Sequence, residues 1–313
     1  MLNYAISRLL WLIPTIIIVI LLLFILTRLA PGDPADVLTG PRASAETKQM
    51  VRELFHLDEP AVVQAGCFFI NLFKGDMGIS IADREPVFKK IKRALPNTIA
   101  LALFAMFWTF ILALILGSLS AIYQNTWIDY LITGFSFLTM SVPVFVSGLI
   151  LLLTFSIAIP ILPMSGMGEE GNILDQIRHL IMPSVAISLS WLGFMARTVK
   201  GMMLDVLEKD YIKMEKAFGV PKLYIWSKYA LRNAALPVVT QLGFATGEFL
   251  GGAVFAEMIF RRPGIGRLLA NSVSSLDLPV LQGTVFITTI MFVLSNMLAD
   301  LIHGFLDPRI RYQ

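Results

Sequence analysis

Charge is the scarcest ingredient of this chain. Of its 313 residues only 15% are Asp, Glu, Lys or Arg, while 56% are hydrophobic and the mean hydropathy is +0.74. Soluble domains carry roughly 25% charged residues, so the polar surface is too small to wrap this apolar content in water, and lipid is the expected solvent. A single cysteine, Cys67, excludes an internal disulfide framework and a cysteine metal site; it reads as a small buried side chain. The three histidines, His56, His179 and His303, have no ligand spacing, so no metal site is expected. A phosphate-cradling G-x-x-x-x-G-K-[ST] loop, an H-E-x-x-H helix and a G-x-S-x-G elbow are all missing. No catalytic residue is nominated and no enzyme is expected. Repeats, low-complexity tracts and flexible linkers are absent too, so residues 1–313 read as one polytopic transmembrane domain. The net charge of +3 fits basic loops beside anionic lipid and gives no reason to invoke nucleic acid.

What is present is a series of long apolar runs. A span needs about 20 mostly apolar residues, and six stretches qualify: 9–29, 98–121, 131–162, 180–196, 237–260 and 281–305. The first is too long, and too poor in a small-residue cleavage site, for a removable signal. The third would reach about 48 Å as one straight helix, so Pro143 is expected to kink it or its first turn lies outside the hydrocarbon. The fourth, with Pro183, Ser184, Ser188 and Ser190, is marginal by hydropathy. Gln241, Glu248, Glu257, Asn296 and Asp300 fall within or near the last two stretches and are expected to face a bundle interior or an aqueous path. The fold class is therefore an all-α membrane protein with six transmembrane helices.

Two regions do not span. Residues 30–96 carry a helical pattern at Met50, Val51, Leu54 and Leu57. They end in a stretch where Val87, Phe88, Ile91, Ala94 and Leu95 share one face against Lys89, Lys90, Lys92 and Arg93. That is the pattern of an amphipathic helix at the membrane interface. Residues 197–236 are polar and break into two helical pieces around Gly219-Val220-Pro221. Lys and Arg favour an inner N-terminus once the long 30–96 loop is set aside, but the basic cluster at its end keeps that preference modest.

The string Asp210-Tyr211-Ile212-Lys213-Met214-Glu215-Lys216-Ala217-Phe218-Gly219-Val220-Pro221, running on to Leu231-Arg232-Asn233-Ala234-Ala235-Leu236-Pro237, resembles the EAA coupling loop of ABC importer permeases of the oligopeptide, dipeptide and nickel branch. Glu215 departs from the pattern, standing where the family usually has alanine. Further family-like segments follow in order along nearly the whole chain. They are Arg28-Leu29-Ala30-Pro31-Gly32-Asp33-Pro34, Gly75-Asp76-Met77-Gly78-Ile79-Ser80, Leu95-Pro96-Asn97-Thr98, Glu257-Met258-Ile259-Phe260, Pro263-Gly264-Ile265-Gly266-Arg267 and Leu306-Asp307-Pro308-Arg309-Ile310-Arg311.

The resemblance implies a type I ABC importer transmembrane fold in the bacterial inner membrane. Both termini would be cytoplasmic, residues 30–96 extracytoplasmic and residues 197–236 the cytoplasmic coupling loop. It implies a second homologous permease, two cytoplasmic ATPase subunits that bind the ATP and Mg, and an extracytoplasmic solute-binding protein; no cofactor is expected on this chain. The expected solute is an oligopeptide or dipeptide, with nickel or a metal chelate as the alternative. A channel would need a pore loop and a secondary transporter inverted repeats, and neither is seen. Asp210, Tyr211, Met214, Glu215, Ala217, Gly219, Val220 and Pro221 are the expected ATPase-coupling residues. Pro143, Gly243, Gly247, Glu248, Gly251 and Asn296 are candidates for the translocation path or for packing. The three glycines repeat every four residues and would let another helix approach closely. Glu248 either faces the pore, where it could attract a cation or a peptide amino terminus, or is hydrogen-bonded or protonated against a neighbouring helix.

Overall fold

The computed structural model describes residues 14–19, 21–22, 25, 44–54, 58–60, 63, 66, 70–72 and 74–306. Much of the expected first span, the 28–34 and 307–311 segments, His56 and Cys67 lie outside them, as do the side chains of Asp300 and His303. Among the described residues the regular structure is helical, apart from one isolated antiparallel bridge between Ile79 and Pro86. The helices are α1 (Ala45–Leu54), α2 (Val87–Ile122), α3 (Trp127–Ser141), α4 (Val144–Leu152), α5 (Ile173–Leu207), α6 (Asp210–Ala217), α7 (Lys222–Tyr224), α8 (Arg232–Ile259), α9 (Ile265–Ser274) and α10 (Leu278–Leu306). Wider π-helical turns continue α4 through Leu153–Ala158 and α7 through Ile225–Leu231.

Val87–Ile122, Ile173–Leu207 and Leu278–Ala299 are each long and apolar enough to cross a membrane, and two bent pairs raise that number to five among the described residues. The third expected span is one of those pairs. Instead of a kink, the chain turns by 109° between Trp127–Ser141 and Val144–Ala158, with Pro143 as the extended N-cap of α4. Proline forces the preceding residue out of the helical region, and Val142 is indeed extended. The second pair bends by 58° between Lys222–Gly243 and Ala245–Ile259. Thr246 donates back to the Leu242 and Gly243 carbonyls beside that bend, a competition with the helical ladder that commonly curves helices.

The chain divides into two compact units, residues 1–97 with 263–294 and residues 98–262 with 295–313. The first holds a core of Leu72, Met77, Val87, Ile91, Ala94, Ile265, Val280 and Phe286. Val87, Ile91 and Ala94 of the expected amphipathic face are buried in this core while Phe88 stays exposed, and the segment is the opening of α2 rather than a helix of its own. Gly283 makes room for it, since a Cβ there would stand 2.7 Å from Val87.

A polar clasp closes the same unit. Asp277 is 2% exposed and accepts from Ser80 Oγ at 2.5 Å, from the Ile81 and Ala82 amides at 3.2 and 3.5 Å, and from the Val280 amide at 3.4 Å. Lys90 donates to Ser80 at 2.9 Å and pairs with Asp83 at 2.6 Å. The hydrogen bond from Lys90, ahead of the other contacts, holds the Asp83 carboxyl at about 2, below its ordinary 3.8.

The second unit is built on α5, which packs against α3, α4 and α8. Asn172 caps it by accepting from the Asp175 amide at 3.2 Å, satisfying one of the free donors of the first turn. Two of the three serines that make this segment marginal by hydropathy are satisfied internally, whereas Ser190 Oγ is buried without a hydrogen-bond partner. Ser184 donates to the Ile181 carbonyl, and Ser188 to Ser184 and to the Ala105 carbonyl of α2. Gly117 of α2 and Gly193 of α5 mark backbone-level contacts. A Cβ at Gly117 would stand 2.5 Å from the Ala196 carbonyl oxygen, and one at Gly193 would collide with the Ser136 carbonyl of α3.

The clasp generates the first prediction. Asp277→Ala leaves several buried donors without a charged acceptor, a loss of about 3 kcal/mol, and limited proteolysis should show new cleavage at residues 81–86. Because the Asp83 pKa is depressed, its ion pair contributes fully above about pH 4 and is lost as pH falls towards 2. That contribution is therefore constant between pH 5 and 8.

Candidate functional site: the 208–231 loop and the polar residues of the spans

Between α5 and α8 the chain makes a compact helix–turn–helix. α6 ends by a double closure in which the Gly219 amide donates to the Lys216 carbonyl at 3.1 Å and the Val220 amide to the Glu215 carbonyl at 3.1 Å. This is the Schellman arrangement, which needs a left-handed residue just past the helix end. Gly219 supplies it with a φ of +80°. Pro221 then caps α7 in extended conformation, and Val220 is half-buried.

Of the expected coupling residues, Asp210 opens α6, exposed, and pairs with Lys213 at 2.8 Å. Glu215 accepts from Tyr229 Oη at 3.2 Å, so the residue that departs from the family pattern ties the first helical piece to the second. That hydrogen bond, with burial and the Glu215 charge adding to it, raises the Tyr229 pKa; the phenol stays protonated and the tie is insensitive to physiological pH. Tyr211 meets Tyr229 edge-on with centroids 6.3 Å apart, and Tyr224 meets the same ring edge-on at 6.2 Å. Ile212 and Ile225 are fully buried beneath. Ala217 and Gly219 are exposed at the tip.

Residue-by-residue sequence reading passed over the most exposed apolar groups of this loop. Phe218 is 77% exposed and Leu223 73%, and Met214, one of the expected coupling residues, is exposed as well. Two large apolar side chains inside a charged loop were the available signal, since isolated exposed hydrophobics are ordinary but a cluster marks an interaction surface.

The candidates in the spans separate by what they touch. Pro143 is exposed at the α3–α4 break. Gly243 packs on α10, where a Cβ would stand 2.9 Å from the Ala299 Cβ. Gly247 is buried, whereas Gly251 is exposed and a Cβ there would meet nothing within 4 Å. The three glycines therefore do not form one packing face. Gly252, outside the four-residue repeat, is the one that meets Ile187, at 3.2 Å. Glu248 is exposed on α8, on the same side as Gly251, Phe255 and Met258. Asn296 is half-buried on α10. Glu257 is fully buried and accepts from Thr98 at 2.6 Å, which brings two of the family-like segments together. Arg262, 3% exposed, packs nearby; burial disfavours its charged form and the Glu257 charge favours it.

The chain matches the model for "Binding-protein-dependent transport system inner membrane component" over residues 113–312 and that family's N-terminal model over residues 1–102. It is 36% identical over 313 residues, and the whole of both chains, to the glutathione transport system permease protein GsiC of Escherichia coli K12. The corresponding permease of Salmonella typhimurium LT2 is 36% identical over 318 residues, again with both chains covered entirely. Among solved structures, a chain of the MetNI methionine ABC transporter in an inward-facing conformation superposes with a TM-score of 0.58 at 15% identity, covering 69% of this chain and 96% of that one. The fold is thus the all-α transmembrane fold of type I ABC importers. The chain belongs to the family of binding-protein-dependent transport system inner membrane components, the permeases of ABC importers.

The helix end at Gly219 generates a second prediction. A Cβ there meets nothing, so Gly219→Ala is opposed by the left-handed backbone alone, by about 1–2 kcal/mol. Amide hydrogen exchange should quicken at Gly219 and Val220 while α5 and α8 keep their protection. Loss of protection along α5 would contradict a purely local role.

Proposed function

We propose that this chain forms, with a second permease, the translocation path by which an ATP-driven importer carries small peptides across the bacterial inner membrane. The observation that carries the solute assignment is the end-to-end similarity to permeases of glutathione transport systems; glutathione is itself a tripeptide. The N-terminus and the 208–231 loop lie on the cytoplasmic side, where two ATPase subunits meet the loop, and a solute-binding protein delivers the peptide from the other side. The exposed Met214, Phe218 and Leu223 support the loop's docking role. They give it an apolar tip that a groove on an ATPase can desolvate, while the Tyr229–Glu215 bond keeps the two helical pieces together as it is displaced.

Glu248 belongs to the path in this reading. A carboxylate near the middle of a span costs several kcal/mol if it faces hydrocarbon, so its exposed side of α8 faces water or the partner permease. There it attracts the ammonium group of a peptide.

Uptake tests the solute. In cells lacking this gene and in their complement, labelled glutathione, a labelled dipeptide and nickel are followed side by side. Loss of peptide uptake is the expected result, and loss of nickel uptake alone would overturn the reading. Glu248→Gln should lower peptide uptake about tenfold at equal membrane abundance; unchanged uptake would remove Glu248 from the path. For the loop, Gly219→Val should leave the complex assembled with ATP turnover no longer driving uptake, and normal transport would dismiss the coupling assignment.

A further inference from the structure

α5 runs unbroken from Ile173 to Leu207, and only Glu208 and Lys209 separate it from α6. It is therefore the stem on which the 208–231 loop is carried. Near its end, Lys200 Nζ lies 2.5 Å from Asp129 Oδ1, with the two side chains 22% and 6% exposed. Asp129 sits in the first turn of α3 and gathers more than this one partner. It accepts from Ser120 Oγ at the end of α2, from the Asn125 amide at 3.1 Å and from Thr133 Oγ1 at 3.3 Å. Asn125 adopts a left-handed φ of 61° in the tight α2–α3 turn, which the Thr126 amide and hydroxyl close by donating to the Tyr123 carbonyl. One carboxylate thus joins the end of α2, the turn, the start of α3 and the stem of the loop.

The contacts above it are equally unyielding. One turn before Ser120, Gly117 lets α2 rest on the Ala196 carbonyl and the Val199 side chain of α5. Gly193 admits the Ser136 carbonyl and the Thr139 hydroxyl of α3 in the same way. At both seams a backbone carbonyl, which has no rotamer to change, is among the nearest groups. Stability by itself does not call for charges here, because desolvation offsets much of the attraction in a buried ion pair and apolar residues of similar volume often hold as well. What a hydrogen-bonded charge pair adds is a single geometry.

We infer that Asp129 and Lys200 are positioning residues for transport. They fix the stem of the loop to the α2–α3 turn, so that displacement of the 208–231 loop reaches α2 and α3 as movement of one body instead of being absorbed by bending at the end of α5. This rests on the reading of the loop as the ATPase-coupling element.

The test uses the complete importer in proteoliposomes. ATP hydrolysis and uptake are measured together with radiolabelled glutathione, or with the labelled dipeptide if that is what the wild-type complex carries. The readout is solute moved per ATP hydrolysed, which a merely structural loss of complex would leave unchanged because both rates would fall in proportion. The double variant Asp129→Leu/Lys200→Met should assemble and hydrolyse ATP, with the ratio lowered at least tenfold; Lys200→Arg should keep most of it. A wild-type ratio in the double variant overturns the inference. Should the double variant fail to assemble, Asp129→Asn decides in its place: a lowered ratio supports the inference and an unchanged one overturns it. Gly219→Val run in parallel separates the two readings. Normal coupling there removes the loop assignment itself, whereas uncoupling there with a wild-type ratio in the Asp129 variants removes only the latch.

Discussion

Backbone-level contact along α5 is the constraint on which its unit depends. Lipid tails are as apolar as leucine, so helices in a membrane associate through close packing and internal hydrogen bonds rather than by escaping water. α5 uses both. Gly117 and Gly193 bring α2 and α3 onto its backbone, and fully buried Ala186 and Val199, with Ala196 at 2% exposure, keep the same surface low. Ser188 bonds the Ala105 carbonyl of α2, while Ser147 of α4 bonds the Ala186 carbonyl of α5. A methyl group at either glycine would have to displace backbone rather than a side-chain tip. Because the same helix continues into the 208–231 loop, the loop inherits its position from these contacts.

The helix ends show a second economy. α6, α8 and α9 all finish in the Schellman arrangement, but only α6 has glycine at the left-handed position. α8 uses Arg261 at φ 47° and α9 uses Leu276 at φ 54°. Such conformations cost non-glycine residues roughly 1–3 kcal/mol and persist where the surroundings over-determine them. In both cases the next residue is anchored. Arg262 is buried, with its amide on the Glu257 carbonyl at 3.0 Å, and Asp277 is the centre of the polar clasp, with its amide on the Ser272 carbonyl at 2.9 Å. The exposed tip of α6 has no such anchor, and there glycine does the work that burial does elsewhere.

That contrast also explains what could be read from sequence. The end at Gly219 was legible because a glycine after a helical pattern has a local cause; the ends at Arg261 and Leu276 were not, because their cause is tertiary. The break at Pro143 was visible as a run too long for one helix, but a proline fixes only the local backbone, so the 109° angle of the turn was not. The face of Val87, Ile91 and Ala94 was legible as apolar, but its burial in this chain's own core was not, since periodicity reports that a face is apolar and not what covers it. Gly247 is buried and Gly251 exposed although both lie beyond the bend of α8, on Ala245–Ile259, because each four-residue step drifts by about 40° around a helix. The 208–231 loop was recognisable by its resemblance to a coupling loop through its ordered string of residues, whereas the tie from Tyr229 to Glu215 required knowing that the two pieces fold back on each other.

Sorting the acidic groups by their surroundings separates what this chain can satisfy alone from what it cannot. Asp129 has Lys200, Ser120 and a backbone amide; Asp277 has Ser80 and three amides; Glu257 has Thr98. Each is nearly or fully buried, and each partner set lies within one compact unit. Glu248 breaks this rule by standing exposed, with Gly251 open on the same side of α8. A carboxylate in hydrocarbon costs about 2.5–3.5 kcal/mol even on insertion scales that let the side chain and bilayer adapt. Glu257, the other acid of α8, is by contrast fully buried and hydrogen-bonded to Thr98. The exposed side of α8 around Glu248 is therefore the surface on which the proposed translocation path rests.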